Sequence, residues 1–188
     1  MHDDKINILA RVARSSPGKD GTRPSASILT LAAVSYGARP NDEATVPTGF
    51  DPGAARLFEA FMEGAYLVAS ADGVFDDSER EAFERVLTVA CGGVVDDGQI
   101  HALVADFADQ LAEDGIDKRV KAIAESVTRP SHAMEVVRIA GLLAQTSDDV
   151  SAVERDVLVR LAAAFSLTEA DVDTALADVR KALDAPKS

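Results

Sequence analysis

The loop ADGVFDDSE, residues 71–79, joins two segments whose apolar residues recur at helical spacing. Gly73 is typical of a helix stop, since glycine tolerates the backbone conformation that ends a helix. Asp76 followed three residues later by Glu79 is the pattern of a capping box, in which each side chain satisfies a backbone N–H at a helix start. The stretch therefore predicts a helix, an acidic loop and a second helix.

The same signals recur through residues 51–188. Asp51-Pro52 predicts an N-cap followed by proline at the first helical position, and the apolar residues from Leu57 to Val68 then follow helical periodicity. Further helix starts are predicted at Asp76, Asp96, near Asp114, Ser131, Ser151 and Thr168. These give about seven helices joined by short breaks, which is typical of an antiparallel bundle. The expected fold class is an all-α, single-domain helical bundle.

Composition agrees with closely packed helices and restricts where the chain works. Apolar residues make up 47% of the sequence but aromatic residues only 5%, so Ala, Val and Leu must fill the core. Cys91 is the single cysteine and no signal peptide opens the sequence, which predicts a cytoplasmic location. No apolar run approaches the roughly 20 residues that span a bilayer, so we expect no direct membrane insertion.

The charge is strongly negative and unevenly distributed. The net charge is −13, which argues against nucleic-acid binding, because that binding requires Lys and Arg to neutralise phosphates. Residues 1–50 carry six basic and five acidic side chains, whereas residues 51–188 carry 13 basic and 27 acidic ones. Cations and basic protein surfaces are therefore the expected partners of the second part.

Residues 1–50 are interpreted as an N-terminal extension of the helical domain 51–188. Residues 5–14 and 26–36 predict two short helices, and the turn residues between and after them break the chain. The apolar segment 28–34 is expected to dock on the main domain, and residues 15–25 to form a mobile linker. The basic side chains of this extension are free for a partner or fold back onto the acidic domain.

An internal repeat is a further hypothesis. A shift of 75 positions aligns residues 65–90 with residues 140–165, and matches Glu79 with Glu154 and Arg80 with Arg155. A shift of 72 continues the match, with Ile100 on Val172. The unit would be helix, acidic loop, helix, short break, helix, and chance similarity of amphipathic helices is the alternative.

The acidic loops supply the candidate metal ligands. An acid at Asp72 faces the negative end of the preceding helix dipole, so a compensating charge is expected there. Together with Asp76 and Glu79 it offers the hard oxygen donors that calcium and magnesium take. The second set consists of Asp148, Asp149 and Glu154. The spacing is not that of an EF-hand, and helix capping is the commoner role of Glu79 and Glu154.

Nothing in the sequence indicates a reaction. The three histidines, His2, His101 and His132, lie too far apart for a zinc-hydrolase motif, and Cys91 lies in an apolar context typical of a small core residue. The Gly-Lys pair at residues 18–19 lacks the first Gly and the Ser/Thr of a phosphate loop. We therefore expect no catalytic residues and no organic cofactor.

The two acidic loops also carry a family resemblance. The string Ala71-Asp72-Gly73, with Glu79 seven positions after the aspartate and Glu154 in the second unit, resembles the signature of TerB-like tellurite-resistance proteins. Residues 36–50 are similar to the lead-in of a subset of them, so the resemblance covers roughly 36–185. It implies a helical bundle with an acidic metal-binding surface, a role in tellurite resistance and stress responses, and action beside a membrane partner of the TerC type.

Two functional hypotheses follow. The first is a non-enzymatic protein that binds a divalent cation, calcium or magnesium, at the acidic interhelical loops and interacts with a protein partner. The alternative is a metal-free helical adaptor that uses its acidic face for protein–protein interaction.

Overall fold

The computed structural model describes residues 3–16, 25–38, 50–73, 75–146 and 150–185, and in these ranges the chain is helical apart from one pair of two-residue strands. The helices are α1 Asp3–Ala13, α2 Ile28–Gly37, α3 Pro52–Ala69, α4 Asp77–Ala90, α5 Asp97–Asp114, α6 Ile116–Ser126, α7 Pro130–Leu143, α8 Ala152–Ala164 and α9 Glu169–Asp184. A single 3-10 turn, Ala144–Thr146, follows α7. The all-α prediction is confirmed.

Local capping chemistry explains most of the helix starts. Asp51 accepts the backbone N–H groups of Gly53 and Ala54, and Pro52 occupies the first helical position. Reciprocal capping boxes open α4, α5, α8 and α9, with the pairs Asp76/Glu79, Asp96/Gln99, Ser151/Glu154 and Thr168/Asp171. The described residues after 51 thus form seven helices, as the sequence predicts.

Helix α3 ends earlier than the glycine signal indicates. Its last residue is Ala69, and the hydroxyl of Ser70 donates to the carbonyl oxygen of Tyr66 at 2.8 Å. Gly73 lies in the turn that follows, with a φ of +79°. Asp72 therefore belongs to this turn and not to the helix itself.

Helices α3 and α7 form the centre of the bundle and pack against each other. Twelve of the 18 residues of α3 and ten of the 14 residues of α7 are buried. A helix that is buried on most sides is largely apolar around its circumference, and both helices have few charged residues, namely Arg56, Glu59 and Glu63 in α3 and Glu135 and Arg138 in α7. The other helices pack around this central pair, and one continuous apolar core results.

The N-terminal helices are part of the same core. Helix α2 packs along α3, and α1 packs mainly on α4 with further contacts to α7 and α9. Ser15–Ser16 pairs antiparallel with Ser25–Ala26, a two-residue ladder that fixes both ends of the predicted linker. The linker interior, residues 17–24, lies outside the described residues, as do residues 39–49.

The structure reproduces the internal repeat in its burial pattern. The buried residues of α5 are Ile100, Leu103, Val104 and Phe107, and those of α9 are Val172, Ala175, Leu176 and Val179, each 72 positions later. Capping boxes open α4 and α8 75 positions apart, and α5 and α9 72 positions apart. The chain is therefore built from two related helical units.

The repeat extends to a helix that the sequence comparison does not reach. Helix α1 packs on α4, α7 and α9, and α6 packs on α8, α3 and α5. In the repeat, α4 is equivalent to α8, α7 to α3 and α9 to α5, so the two helices have equivalent neighbours. Each of the two precedes the central helix of its own unit along the chain. We conclude that α1 and α6 are counterparts, and that α2 is an addition to the first unit.

Equivalent caps predict equivalent energetics. We expect Asp96→Ala in α5 and Thr168→Ala in α9 each to lower the free energy of unfolding by about 1 kcal/mol, because each leaves a helix N-terminus without its capping oxygen. Urea denaturation measures both losses. Asp97→Ala, one residue into α5 and exposed, is the control and should cost only a few tenths of a kcal/mol. A full loss at one cap and none at the other would contradict the equivalence.

Candidate functional site

The first acidic loop connects α3 to α4 on the protein surface. Asp72 and Asp76 are exposed and Glu79 is half-buried. Oδ1 of Asp76 accepts the N–H of Glu79 at 2.9 Å, and Oε2 of Glu79 accepts the N–H of Asp76 at 3.2 Å. Each of the two side chains therefore accepts the backbone N–H of the other residue, and together they cap the start of α4.

Aromatic packing holds this loop against the bundle. The ring of Phe75 meets Tyr66 edge-on at a centroid distance of 5.4 Å and Phe83 at 5.8 Å. These rings come from α3, the loop and α4, so they fix the two helices on either side of the acidic residues. Burial raises the pKa of Tyr66, while the nearby charge of Arg80 and a hydrogen bond with Ser70 oppose this rise.

The second loop differs in both anchoring and burial. The positions that match Tyr66, Phe75 and Phe83 are occupied by Gly141, Val150 and Leu158, so the aromatic cluster has no equivalent there. Glu154 is buried, and its Oε2 accepts the N–H of Ser151 at 2.7 Å. The other two predicted ligands, Asp148 and Asp149, lie outside the described residues.

The chemistry of the first loop suits a hard cation, although its donors are dispersed. The cap uses Oδ1 of Asp76 and Oε2 of Glu79, so Oδ2 and Oε1 are the oxygens that a cation would take. Across the ranges that the structure describes, no three His, Cys, Asp or Glu side chains form a group that could hold a metal ion. A cation at this loop would therefore require Asp72 to approach the capping pair.

Two charged networks, each centred on a buried carboxylate, Glu135 or Glu63, were not anticipated from the sequence. In the first, Arg138 donates from Nε to Oε2 of Glu135 and from Nη2 to Oε1, both at 2.8 Å. Oε1 also accepts the hydroxyls of Ser16 at 2.7 Å and Ser27 at 2.6 Å. The third Arg138 nitrogen, Nη1, donates to the carbonyl oxygen of Val12 at 3.4 Å. This network ties α1, the strand pair and α2 to the central helix α7.

The electrostatics of Glu135 follow from these partners. Burial alone would raise its pKa, but the hydrogen bonds and charge of Arg138 and the two serine hydroxyls outweigh burial and hold the pKa below its usual value. The carboxylate is therefore stabilised in its charged form inside the bundle.

The second network joins α3 to the corner between α5 and α6. Arg119 donates from Nε to Oε1 of the buried Glu63 at 2.6 Å, and from Nη1 to Oδ2 of Asp114 at 3.1 Å. Lys118 binds the other oxygen of Asp114, and the hydrogen bonds from these two cations lower the pKa of Asp114. Glu63 lies 75 positions before Arg138, so the two units place a buried charge at the same position of their central helices.

The buried thiol of Cys91 and the described histidines have separate surroundings. Burial raises the pKa of Cys91 to about 12, and the charge of Arg14 only partly opposes this, so the thiolate nucleophile is disfavoured. His101 is exposed and lies 3.2 Å from Glu84, whereas burial and the neighbouring Arg129 lower the pKa of His132.

The fold and its loops define an all-α acidic protein made of two related units, each with an acidic loop after its central helix. The family model described as "Tellurite resistance protein TerB" matches residues 59–177, from within α3 to within α9. The chain therefore belongs to the TerB family, and it is a helical protein of the tellurite-resistance class. Comparison with curated proteins and with solved structures gave no match. No helix in the described part of the chain has the length and apolarity needed to cross a membrane.

Proposed function

We propose that this chain is a non-enzymatic interaction protein of the tellurite-resistance class, and that its acidic interhelical loops bind a divalent cation. The observation that carries the proposal is the position of Asp72 and Asp76 in a surface loop that Phe75 anchors to two helices, with Glu79 in the first turn of α4, all within the family match. The cation is calcium or magnesium, because the donors are hard carboxylate oxygens. Asp148, Asp149 and Glu154 are the secondary site.

The role of the cation is charge balance. Acidic residues exceed basic ones by 14 over residues 51–188, and like charges that share a short loop repel one another. A divalent ion removes that repulsion and draws Asp72 towards Asp76 and Glu79. The resulting surface then engages a protein partner, for which a TerC-type membrane protein is the proposed class. The chain would act in the cytoplasm, at the inner face of the membrane through that partner.

A metal-free adaptor is the second candidate, and one specific observation favours it. The capping box already satisfies Asp76 and Glu79 with backbone N–H groups, and a cap of this kind stabilises a helix by about 1 kcal/mol without any cation. In this case the acidic face of the bundle itself is the interaction surface.

Calorimetric titration with calcium and magnesium separates the two candidates. We expect one dominant metal site in the wild-type protein. Asp72→Asn should bind the metal at least about tenfold more weakly, because this variant removes one carboxylate and leaves the capping box intact. Asp109→Asn, an equal change of charge on an exposed position of α5, should bind as the wild type does. If no heat of binding is detected at millimolar metal, or if the two variants bind with equal affinity, metal binding at this loop is rejected and the metal-free adaptor is the favoured function.

A further inference from the structure

Helix α2 presents an apolar face to solvent. Its inner face buries Leu29, Ala32, Ala33 and Tyr36, and the opposite face carries Leu31 and Val34, which are 61% and 53% exposed. Residues 25–38 contain no Asp, Glu, Lys, Arg or His. Amphipathic surface helices normally place charged residues on their outer face, so this helix departs from the usual pattern.

The loop between α4 and α5 extends this face. Gly37 lies directly against the backbone of Val94, and a Cβ at Gly37 would overlap the Val94 carbonyl oxygen. Val94 is 43% exposed, and its backbone lies against Gly37, one helical turn after Val34. We name these three residues, Leu31, Val34 and Val94, the α2 patch.

The two-unit architecture does not require α2. In the second unit, α6 leads to α7 through residues 127–129 alone, with no helix inserted between them. Helix α2 also lies outside residues 59–177, which match the family. Leu31 and Val34 therefore lie outside the part of the chain that matches the family, whereas Val94 lies within it.

Charge around the α2 patch selects the kind of partner. Asp96 and Asp97 are exposed next to Val94, and the nearby guanidinium of Arg14 already donates to the Val89 carbonyl oxygen at 2.6 Å. Two copies of a chain with a net charge of −13 would repel each other, and an anionic membrane would repel it as well. A partner with an apolar stripe and flanking cations would match both the apolar residues of the α2 patch and the acidic residues beside it.

We infer that the α2 patch is the docking surface for an amphipathic helix of a protein partner, with leucine-like side chains on one face and Lys or Arg beside them. This inference deepens the interaction role proposed above by naming the surface and the partner's chemistry. The apolar face lies on Leu31, Val34 and Val94, and the cations pair with Asp96 and Asp97. Protein interfaces commonly combine an apolar anchor with a charged rim in this way.

The test uses the whole 188-residue chain and synthetic helical peptides. The probe is an amphipathic peptide of about five turns with leucines on one face and lysines on the other. A second peptide keeps the leucines and replaces each lysine with glutamate. Affinity is measured by fluorescence anisotropy for the wild type, for the double variant Leu31→Ser/Val34→Ser, and for Val153→Ser. Val153 is the matched control because it is 49% exposed on α8.

We expect the lysine peptide to bind the wild type and Val153→Ser equally, and the double variant to bind about tenfold more weakly or worse. The glutamate peptide should not bind. Equal affinity for all three proteins, or no binding, would overturn the inference. The inference would also be overturned if the wild type self-associated or bound phosphatidylserine vesicles, and if the double variant lost that property. Leu31→Gln alone gives a second readout if the double variant does not fold. Since Asp72 is untouched, the metal titration tests the proposed function independently.

Discussion

Replacing Glu135 with alanine is expected to lower the free energy of unfolding by about 3–5 kcal/mol, the largest loss we expect from a single substitution. The variant leaves the guanidinium of Arg138 buried without its counter-ion, and the hydroxyls of Ser16 and Ser27 without their acceptor. Burial of an unpaired charge costs far more than the loss of one hydrogen bond. Urea denaturation followed by circular dichroism measures the change.

Two variants control this experiment. Glu125→Ala removes an exposed carboxylate that lies 3.9 Å from Lys121 on the surface of α6, and it should cost at most about 0.5 kcal/mol. The double variant Glu135→Leu/Arg138→Met should recover much of the loss, because an apolar pair leaves no buried charge. A loss of under about 1 kcal/mol in Glu135→Ala would mean that the network does not hold the N-terminal helices.

The same pair predicts how stability depends on pH. The pKa of Glu135 is lower in the folded protein than its ordinary value of 4.5, so the pair contributes stability above that pH. This contribution is lost as the pH falls through the lower, folded-state pKa. Below about pH 4.5, the free energy of unfolding of the wild type should therefore fall more steeply with decreasing pH than that of Glu135→Gln.

Replacing Arg119 with alanine is expected to cost about 2–4 kcal/mol, the second largest effect. Glu63 would remain buried in α3 without its cation, and the corner between α5 and α6 would lose its tie to the central helix. The loss is smaller than at Glu135 because Arg119 lies near the surface, where water can reach the vacated site. Chemical denaturation gives the value.

Lys118 offers a matched control for Arg119. It binds the same carboxylate of Asp114, but its side chain is exposed, so Lys118→Ala should cost at most about 1 kcal/mol. Equal costs at Arg119 and Lys118 would show that Glu63 finds another partner, and that the two units do not share a structural charge at this position.

Most helix starts were predictable because their chemistry is local. Asp51, Asp76, Asp96, Ser151 and Thr168 each bond to backbone groups within three residues, so the sequence contains the complete motif. The sequence predicts the end of α3 less accurately, because the Ser70 hydroxyl, three residues before Gly73, bonds to the Tyr66 carbonyl oxygen in the last turn.

The two charged networks could not be assigned from sequence because each depends on a distant partner. Glu63 binds Arg119, 56 residues away. Glu135 pairs with Arg138, only three residues away, but it also accepts a hydroxyl from Ser27, 108 residues away. The available signal is a charged residue inside an otherwise apolar run, as Glu63 is within residues 60–68 of α3. The match between α1 and α6 was also hidden, since two short helices share too few residues to align.

The candidate metal site divides in a similar way. The capping role of Asp76 and Glu79 was predictable from their spacing, and the structure confirms both hydrogen bonds. The convergence of Asp72 with them depends on the turn between α3 and α4, which spacing alone does not determine. Ligand binding at this turn therefore stays a prediction.

The most direct test of cation binding is the thermal unfolding midpoint of the wild type and Asp72→Asn, measured with and without calcium chloride. Calcium at about 100 times its dissociation constant should add about 2.7 kcal/mol, which raises the midpoint of a chain of this size by roughly 5–10 °C. Asp72→Asn should show little of this rise. An unchanged wild-type midpoint, or an equal rise in both proteins, would contradict binding at the loop that carries Asp72.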